Sequence, residues 1–176
     1  MTLAIGVTGH RILAEPERVA AGVESALDRI EATFPGRPLV VISALAEGAD
    51  RLVAEAVLVR PGARLRAILP MPRSDYLDDF ASPESRDAFL RLLGRADEVV
   101  ELPARATRDD AYAAANEWML ERVDVLVAVW DGRGAQSRAG TAEVVARARA
   151  RSLPLAWVHA GHNLGVDQGL VTLENL

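Results

Sequence analysis

Two short loops carry the residue types best suited to hold an anion. The first, Gly6-Val7-Thr8-Gly9-His10-Arg11, combines two glycines with a hydroxyl, an imidazole and a guanidinium. Glycine lets the main chain approach a ligand closely, and arginine grips phosphate or carboxylate with two parallel donors. The second, Trp130-Asp131-Gly132-Arg133-Gly134-Ala135-Gln136-Ser137-Arg138-Ala139-Gly140-Thr141-Ala142-Glu143, lies between the apolar run Asp124–Val129 and an arginine-rich amphipathic stretch. Strand, glycine-bearing loop and helix start follow one another there. That order directs unpaired N–H groups and the positive end of a helix dipole at one point. Two such loops in one chain point to a phosphate-bearing, nucleotide-like ligand. His10, Arg11, Gly132, Gly140 and Thr141 are candidate contacts, with His10 read as a hydrogen-bonding residue rather than a base.

A third loop, Ser43-Ala44-Leu45-Ala46-Glu47-Gly48-Ala49-Asp50-Arg51, joins a strand to a helix. Ser43 stands at the strand end, and Gly48 permits backbone approach. Asp50 can bind a ribose hydroxyl, or can complement the helix dipole or cap the helix. Pro70-Met71-Pro72 either fixes a turn or walls a base pocket in which Tyr76 stacks. Tyr112 and Asn116 lie one helical turn apart and share a face, which allows Asn116 to reach a ligand. Glu143, three residues after Gly140, can close a capping box or act as a carboxylate on the anomeric carbon of a nucleoside, with Asp131 as its partner. His159 and His162 are three apart but lack further ligands of fitting type, so no metal site is expected, and no cofactor is implied.

The elements that must position these residues follow from apolar periodicity. Leu3–Val7, Leu39–Ser43, Leu65–Leu69, Glu98–Leu102, Val123–Trp130 and Leu155–Val158 read as strands. The intervening segments read as helices over Pro16–Phe34, Gly48–Val59, Glu84–Arg95, Arg108–Arg122 and Ala142–Arg151, each with apolar residues at helical spacing. Pro70–Pro83 reads as a long loop or short irregular helix, and the tail over 160–176 as irregular. Alternating strand and helix predict an α/β fold: a mostly parallel sheet of about six strands with helices on both faces, hence three layers. Residues 1–176 form one domain by length. The singled-out loops all follow strands, at the rim where such sheets bind ligands.

Composition narrows the function classes. The formal net charge is −5 and there is no cysteine, which disfavours a general nucleic-acid binder and excludes disulfides and thiol nucleophiles. Every basic residue of the Lys+Arg count is arginine, so a P-loop lysine and a Schiff-base lysine are both ruled out. No signal peptide and no membrane-length apolar run is visible, and a cytoplasmic protein is the expectation. The apolar helix faces are compatible with a homo-oligomer.

The segments GVTGHR (6–11), SALAEGADRLVAE (43–55), ILPMPRSDY (68–76) and DVLVAVWDGRGAQSRAGTAE (124–143) together resemble the SLOG superfamily over about residues 3–158. That group includes the LOG-type phosphoribohydrolases, the DNA-processing protein A fold and nucleotide-sensing domains of bacterial defence systems. Nucleoside 2-deoxyribosyltransferases share a similar Asp-Gly…Gly-Thr-Ala segment. The resemblance implies a Rossmann-like fold. It also implies a phosphate and ribose side formed by Gly9, Arg11, Ser43, Gly48, Gly140 and Thr141, with Asp131 and Glu143 near the sugar. The enzymes of the group carry Gly-Thr-x-x-Glu, whereas here that glutamate position is Val144 and the carboxylate stands one residue earlier. One step along a helix turns a side chain by about 100°, and the Pro-Gly-Gly opening of the LOG loop is also absent. The first expectation is therefore binding or sensing of a nucleotide-derived small molecule. The alternatives are an N-glycosidase or phosphoribohydrolase using Glu143, and single-stranded DNA binding.

Overall fold

Each apolar run becomes a strand in the computed structural model, which describes residues 1–134, 137–161, 165 and 167–176. The strands are β1 (Leu3–Gly9), β2 (Leu39–Ser43), β3 (Arg64–Leu69), β4 (Glu98–Glu101), β5 (Val125–Trp130), β6 (Leu155–His159) and β7 (Val171–Glu174). The helices are α1 (Pro16–Thr33), α2 (Ala49–Leu58), α3 (Arg73–Tyr76), α4 (Pro83–Leu93), α5 (Arg108–Leu120) and α6 (Thr141–Ala150). The strands order as β4-β3-β2-β1-β5-β6-β7, parallel except for β7. The expected three-layer, Rossmann-like α/β sandwich is what forms.

Its layers follow from side-chain alternation. On β5, Val125, Val127 and Val129 enter one apolar cluster and Leu126, Ala128 and Trp130 the other. A strand that is apolar at every position is what burial on both faces requires. Val19, Val23, Leu27 and Ile30 of α1, Val53 and Val57 of α2 and Phe89 of α4 cover the first face. Ala115 and Met119 of α5 and Val144, Val145 and Ala148 of α6 cover the second.

The chain starts at the sheet centre, walks outward through β2, β3 and β4, then crosses back through α5 to β5 on the other side of β1. That reversal leaves a crevice beyond the carboxyl ends of β1 and β5, the place where open α/β sheets bind ligands.

Of the two segments read as irregular, Pro70–Pro83 takes the short-helix alternative and the tail differs from expectation. Pro70–Pro83 contains α3 and a 3₁₀ turn over Leu77–Asp79. The tail is not irregular throughout, because Val171–Glu174 pairs antiparallel with β6, from Val158↔Val171 to Leu155↔Glu174. Two glycines hold the chain leading into β7 onto α1. A Cβ on Gly22 would stand 2.3 Å from the Gly169 carbonyl, and one on Gly169 (φ +81°) would stand 2.2 Å from that of Arg18. At the opposite margin, β4 is a short edge strand with mostly exposed side chains. Glu98 pairs across to Arg66 (2.6 Å) and Glu101 to Arg73 (3.7 Å). Among the described residues, no helix is long and apolar enough to cross a membrane.

Candidate functional site

β1 and β5 lie side by side, with Gly9 opposite Val129, so the loops after them begin on the same rim. The His10 amide donates to the Val129 carbonyl (3.0 Å), and the Asp131 amide donates to His10 Nε2 (3.2 Å). The Asp131 carboxylate lies 3.6 Å from His10 Nε2 and accepts from the Arg133 amide (2.9 Å). His10 and Asp131 therefore tie the two loops to each other.

Between these loops and α5 the crevice has two adjoining lobes. The inner, about 200 Å³, lies toward β2 and β3 and is bordered by Thr8, Asp50, Ile68, Tyr112, Asn116 and Met119. The outer, about 310 Å³, is bordered by His10, Trp130, Asp131, Arg133 and Ser137. Gly9, Arg11, Gly140 and Thr141 border both. Gly140 is the extended residue that opens α6, and no side chain caps it. Among the described residues, nothing accepts from the amides of Thr141 and Ala142. These are the orphan donors expected at the start of a helix, where the dipole adds partial positive charge. Arg11 reaches across from β1 to α5, donating to the Tyr112 hydroxyl (3.2 Å) with its guanidinium 5.5 Å from the ring centroid. Asn116 Nδ2 donates to the Ala139 carbonyl (3.2 Å) and so steadies the segment entering α6.

Asp50 and Tyr76, both in the lining of the inner lobe, are chemically unusual. Asp50 is buried and accepts from the Ala46 amide (3.3 Å). Burial pushes its carboxyl up to about 6, although the Ala46 hydrogen bond, the Arg11 charge and the Ser43 hydroxyl all pull downward. Beside it lies the Tyr76 ring, fully buried against Phe80, Phe89 and Tyr112 at centroid distances of 5.0, 5.5 and 6.2 Å. The Tyr76 hydroxyl has no hydrogen-bond partner among the described residues. Burial drives this phenol well above its usual pKa, so it remains a donor.

The sequence-predicted residues divide by position. Gly9, Arg11, Asp50, Asn116, Gly140 and Thr141 border the inner lobe, and His10 and Asp131 the outer. Ser43 is buried and occupied: its Oγ accepts from the Leu45 amide (3.0 Å). Gly48 (φ +77°) faces protein instead of the lobes, since a Cβ there would stand 2.4 Å from the carbonyls of His10 and Arg11. Gly132 (φ +80°) packs on Trp157, with only 3.0 Å available to a Cβ.

Glu143 borders neither lobe. Its carboxylate accepts from Nε of Arg147 (3.1 Å), whose Nη1 donates to Glu117 on α5 (3.0 Å). It closes no capping box either, because the Gly140 amide turns to the Ser137 carbonyl. Val144 is buried in the apolar cluster that includes Ile68, Ala115 and Met119 of the inner-lobe wall. Tyr76 is not free to stack on a base, since its ring is a core element. Gln136 and His162 lie outside the described residues, and no group of three or more His, Asp or Glu able to hold a metal occurs among the described residues. Sequence reasoning missed Ile68, Ala115 and Met119 as lobe walls; their apolar character signals only core.

No family model and no curated protein matches the chain. Solved structures do. A structural-genomics target, TM1055, superposes with a TM-score of 0.53 at 16% identity, covering 88% of this chain and 72% of its own. The molybdenum cofactor binding protein from the phototrophic bacterium Rippkaea orientalis superposes with a TM-score of 0.51 at 17% identity, covering 90% of this chain and 77% of its own. At these identities the likeness is one of fold.

Proposed function

We propose that this protein is a SLOG-type domain that binds a phosphate-bearing nucleotide or nucleotide-derived small molecule in the crevice between the ends of β1 and β5. One observation carries the reading. Arg11 and Thr141, whose amide is unpaired at the start of α6, border both lobes, the unpaired Ala142 amide adjoins them in the outer one, and the two lobes together have room for the rest of such a ligand. A phosphate there gains charge-assisted hydrogen bonds from main chain and side chain together. That one neighbour of this fold is named for binding a molybdenum cofactor is consistent with a small-molecule role.

Isothermal titration with AMP, GMP, NAD and ADP-ribose tests the reading. At least one should bind, and Arg11→Gln should weaken it at least about tenfold, the scale of one charge-assisted hydrogen bond. Silence from all four, with folded protein, removes the proposal.

Cleavage is not part of this reading. A glycosyl-transferring carboxylate must face the sugar, and Glu143 is held by Arg147 away from both lobes. Incubation with nucleoside monophosphates should release no base by chromatography. Release that disappears in Glu143→Gln would restore the hydrolytic role.

A further inference from the structure

The anion-binding groups stand in the middle of a row of cavities, not at its end. Beyond the outer lobe, over the ends of β5 and β6, lies a third lobe of about 250 Å³. Among the described residues it is bordered by Asp131, Arg133, His159, Gly161, Asp167 and Gln168. The outer lobe shares Asp131 and Arg133 with this third lobe, and Arg11 and Thr141 with the inner one. The row therefore extends to both sides of the β1–β5 junction, the crevice across which parallel sheets take dinucleotides. Each lobe lies at or below the low end of the roughly 300–1,000 Å³ typical of small-molecule sites, so a whole ligand spans more than one.

Position and charge together narrow the ligand. In a phosphomonoester the anion is terminal, so the nucleoside fills one side and leaves the other lobe to water. A pyrophosphate diester carries its anion centrally, with a neutral moiety on each side. Two arginines, Arg11 and Arg133, border the outer lobe, enough for two phosphates. The third lobe sets the carboxylates of Asp131 and Asp167 against Arg133. Burial lowers the pKa of His159, so at neutral pH its ring adds no charge to offset them. Ionised carboxylates only accept. They repel a terminal phosphate and receive hydrogen bonds from sugar hydroxyls. The Asp131 carboxylate already takes the Arg133 amide (2.9 Å), which leaves Asp167 as the main acceptor for such hydroxyls.

We infer that the crevice takes a two-ended ligand, a nucleoside diphosphate esterified to a sugar, with its pyrophosphate at Arg11 and the start of α6, its sugar in the lobe beside β6 and its nucleoside toward the inner lobe. The assignment rests on the nucleotide-binding reading above and names the ligand class.

The full chain is titrated with AMP, ADP and ADP-ribose, and with GMP, GDP and GDP-mannose, each set holding one base constant. In the set with the preferred base, the sugar-linked member should bind at least about tenfold tighter than the other two, the scale of one hydrogen bond to a charged group. The free diphosphates carry more negative charge than the diesters, so charge alone gives the opposite order. A Cβ on Gly161 would make ordinary contacts, 3.5 Å from Gln168 Nε2 and 3.7 Å from Asp131 Cβ, so a large side chain there intrudes among the lobe's own residues. Gly161→Phe and Asp167→Ala should each bring the sugar-linked member within about threefold of the mononucleotide and leave the mononucleotide's affinity unchanged. Circular dichroism verifies folding, and either variant alone decides the matter if the other fails to fold. A sugar-linked member that binds no tighter than the free diphosphate, or a preference that survives in a folded variant, overturns the two-ended assignment and leaves the phosphate site intact. Absence of binding by all six ligands defeats the nucleotide-binding reading itself.

Discussion

Asp50 carries its carboxyl in a place closed to bulk water, and that raises its pKa from 3.8 to about 6. Between those values the folded chain holds a proton that the unfolded chain has released. The protonated carboxyl supports the fold in full below about pH 3.8, and this support is lost as pH rises through about 6. Above that, the ionised group costs on the order of 3 kcal/mol. Asp50→Asn keeps the shape and removes the charge, so at pH 7.5 it should raise the melting temperature by about 3–8 °C. The gain should vanish near pH 4; calorimetry at both pH values checks it, and an equal gain at both would contradict the burial argument. A protein that keeps a destabilising carboxyl where a neutral amide would fit is consistent with a functional demand at that position. Glu143 is the opposite case, a partly exposed helix carboxylate in a surface ion-pair network. Glu143→Gln should change stability by less than about 1 kcal/mol and leave ligand affinity within about twofold. From sequence, the two acids looked alike: each sits in the first turn of a helix after a glycine. Burial separates them: Asp50 lies among Arg11, Ser43 and Tyr76, which come from three segments whose meeting no local pattern encodes.

At the scale of elements, the junction of β1, α2 and β5 is held by glycines that allow backbone to approach backbone. Gly9 leaves a Cβ only 2.4 Å from that of Ala49 and 2.6 Å from the Val129 carbonyl, and Gly48 adds a positive φ to a similar restriction. Gly48→Ala should therefore destabilise by about 1–3 kcal/mol from backbone strain alone, and by more from the collision with the His10 and Arg11 carbonyls. Chemical denaturation measures the loss; a neutral result would mean that the loop after β1 shifts freely. The strands β1, β2, β3, β5 and β6 were readable because each is an apolar run bounded by turn residues. Short, half-buried β7 lacked that contrast, and its pairing with β6 is non-local. The proline-rich loop alone leaves Tyr76 open between a plain turn and a stacking wall, and its actual aromatic partners, Phe80, Phe89 and Tyr112, are set by tertiary packing.

For the molecule as a whole, the decisive feature is the reversal of strand order about β1. It brings the two glycine-bearing loops, about 120 residues apart, onto one rim, and nothing in either loop specifies that. The sequence supported the meeting only through the alternation of strand and helix, which makes the sheet parallel and sends every such loop to the same side. The sheet also has two margins. One is β7, and the other, β4, offers its hydrogen-bonding groups outward from a strand of four residues bearing Glu98 and Glu101. An uncovered margin is a template on which further chains can polymerise, and charged side chains there disfavour pairing with an identical margin. Replacing both, Glu98→Val with Glu101→Val, should leave the melting temperature nearly unchanged yet produce concentration-dependent light scattering at room temperature.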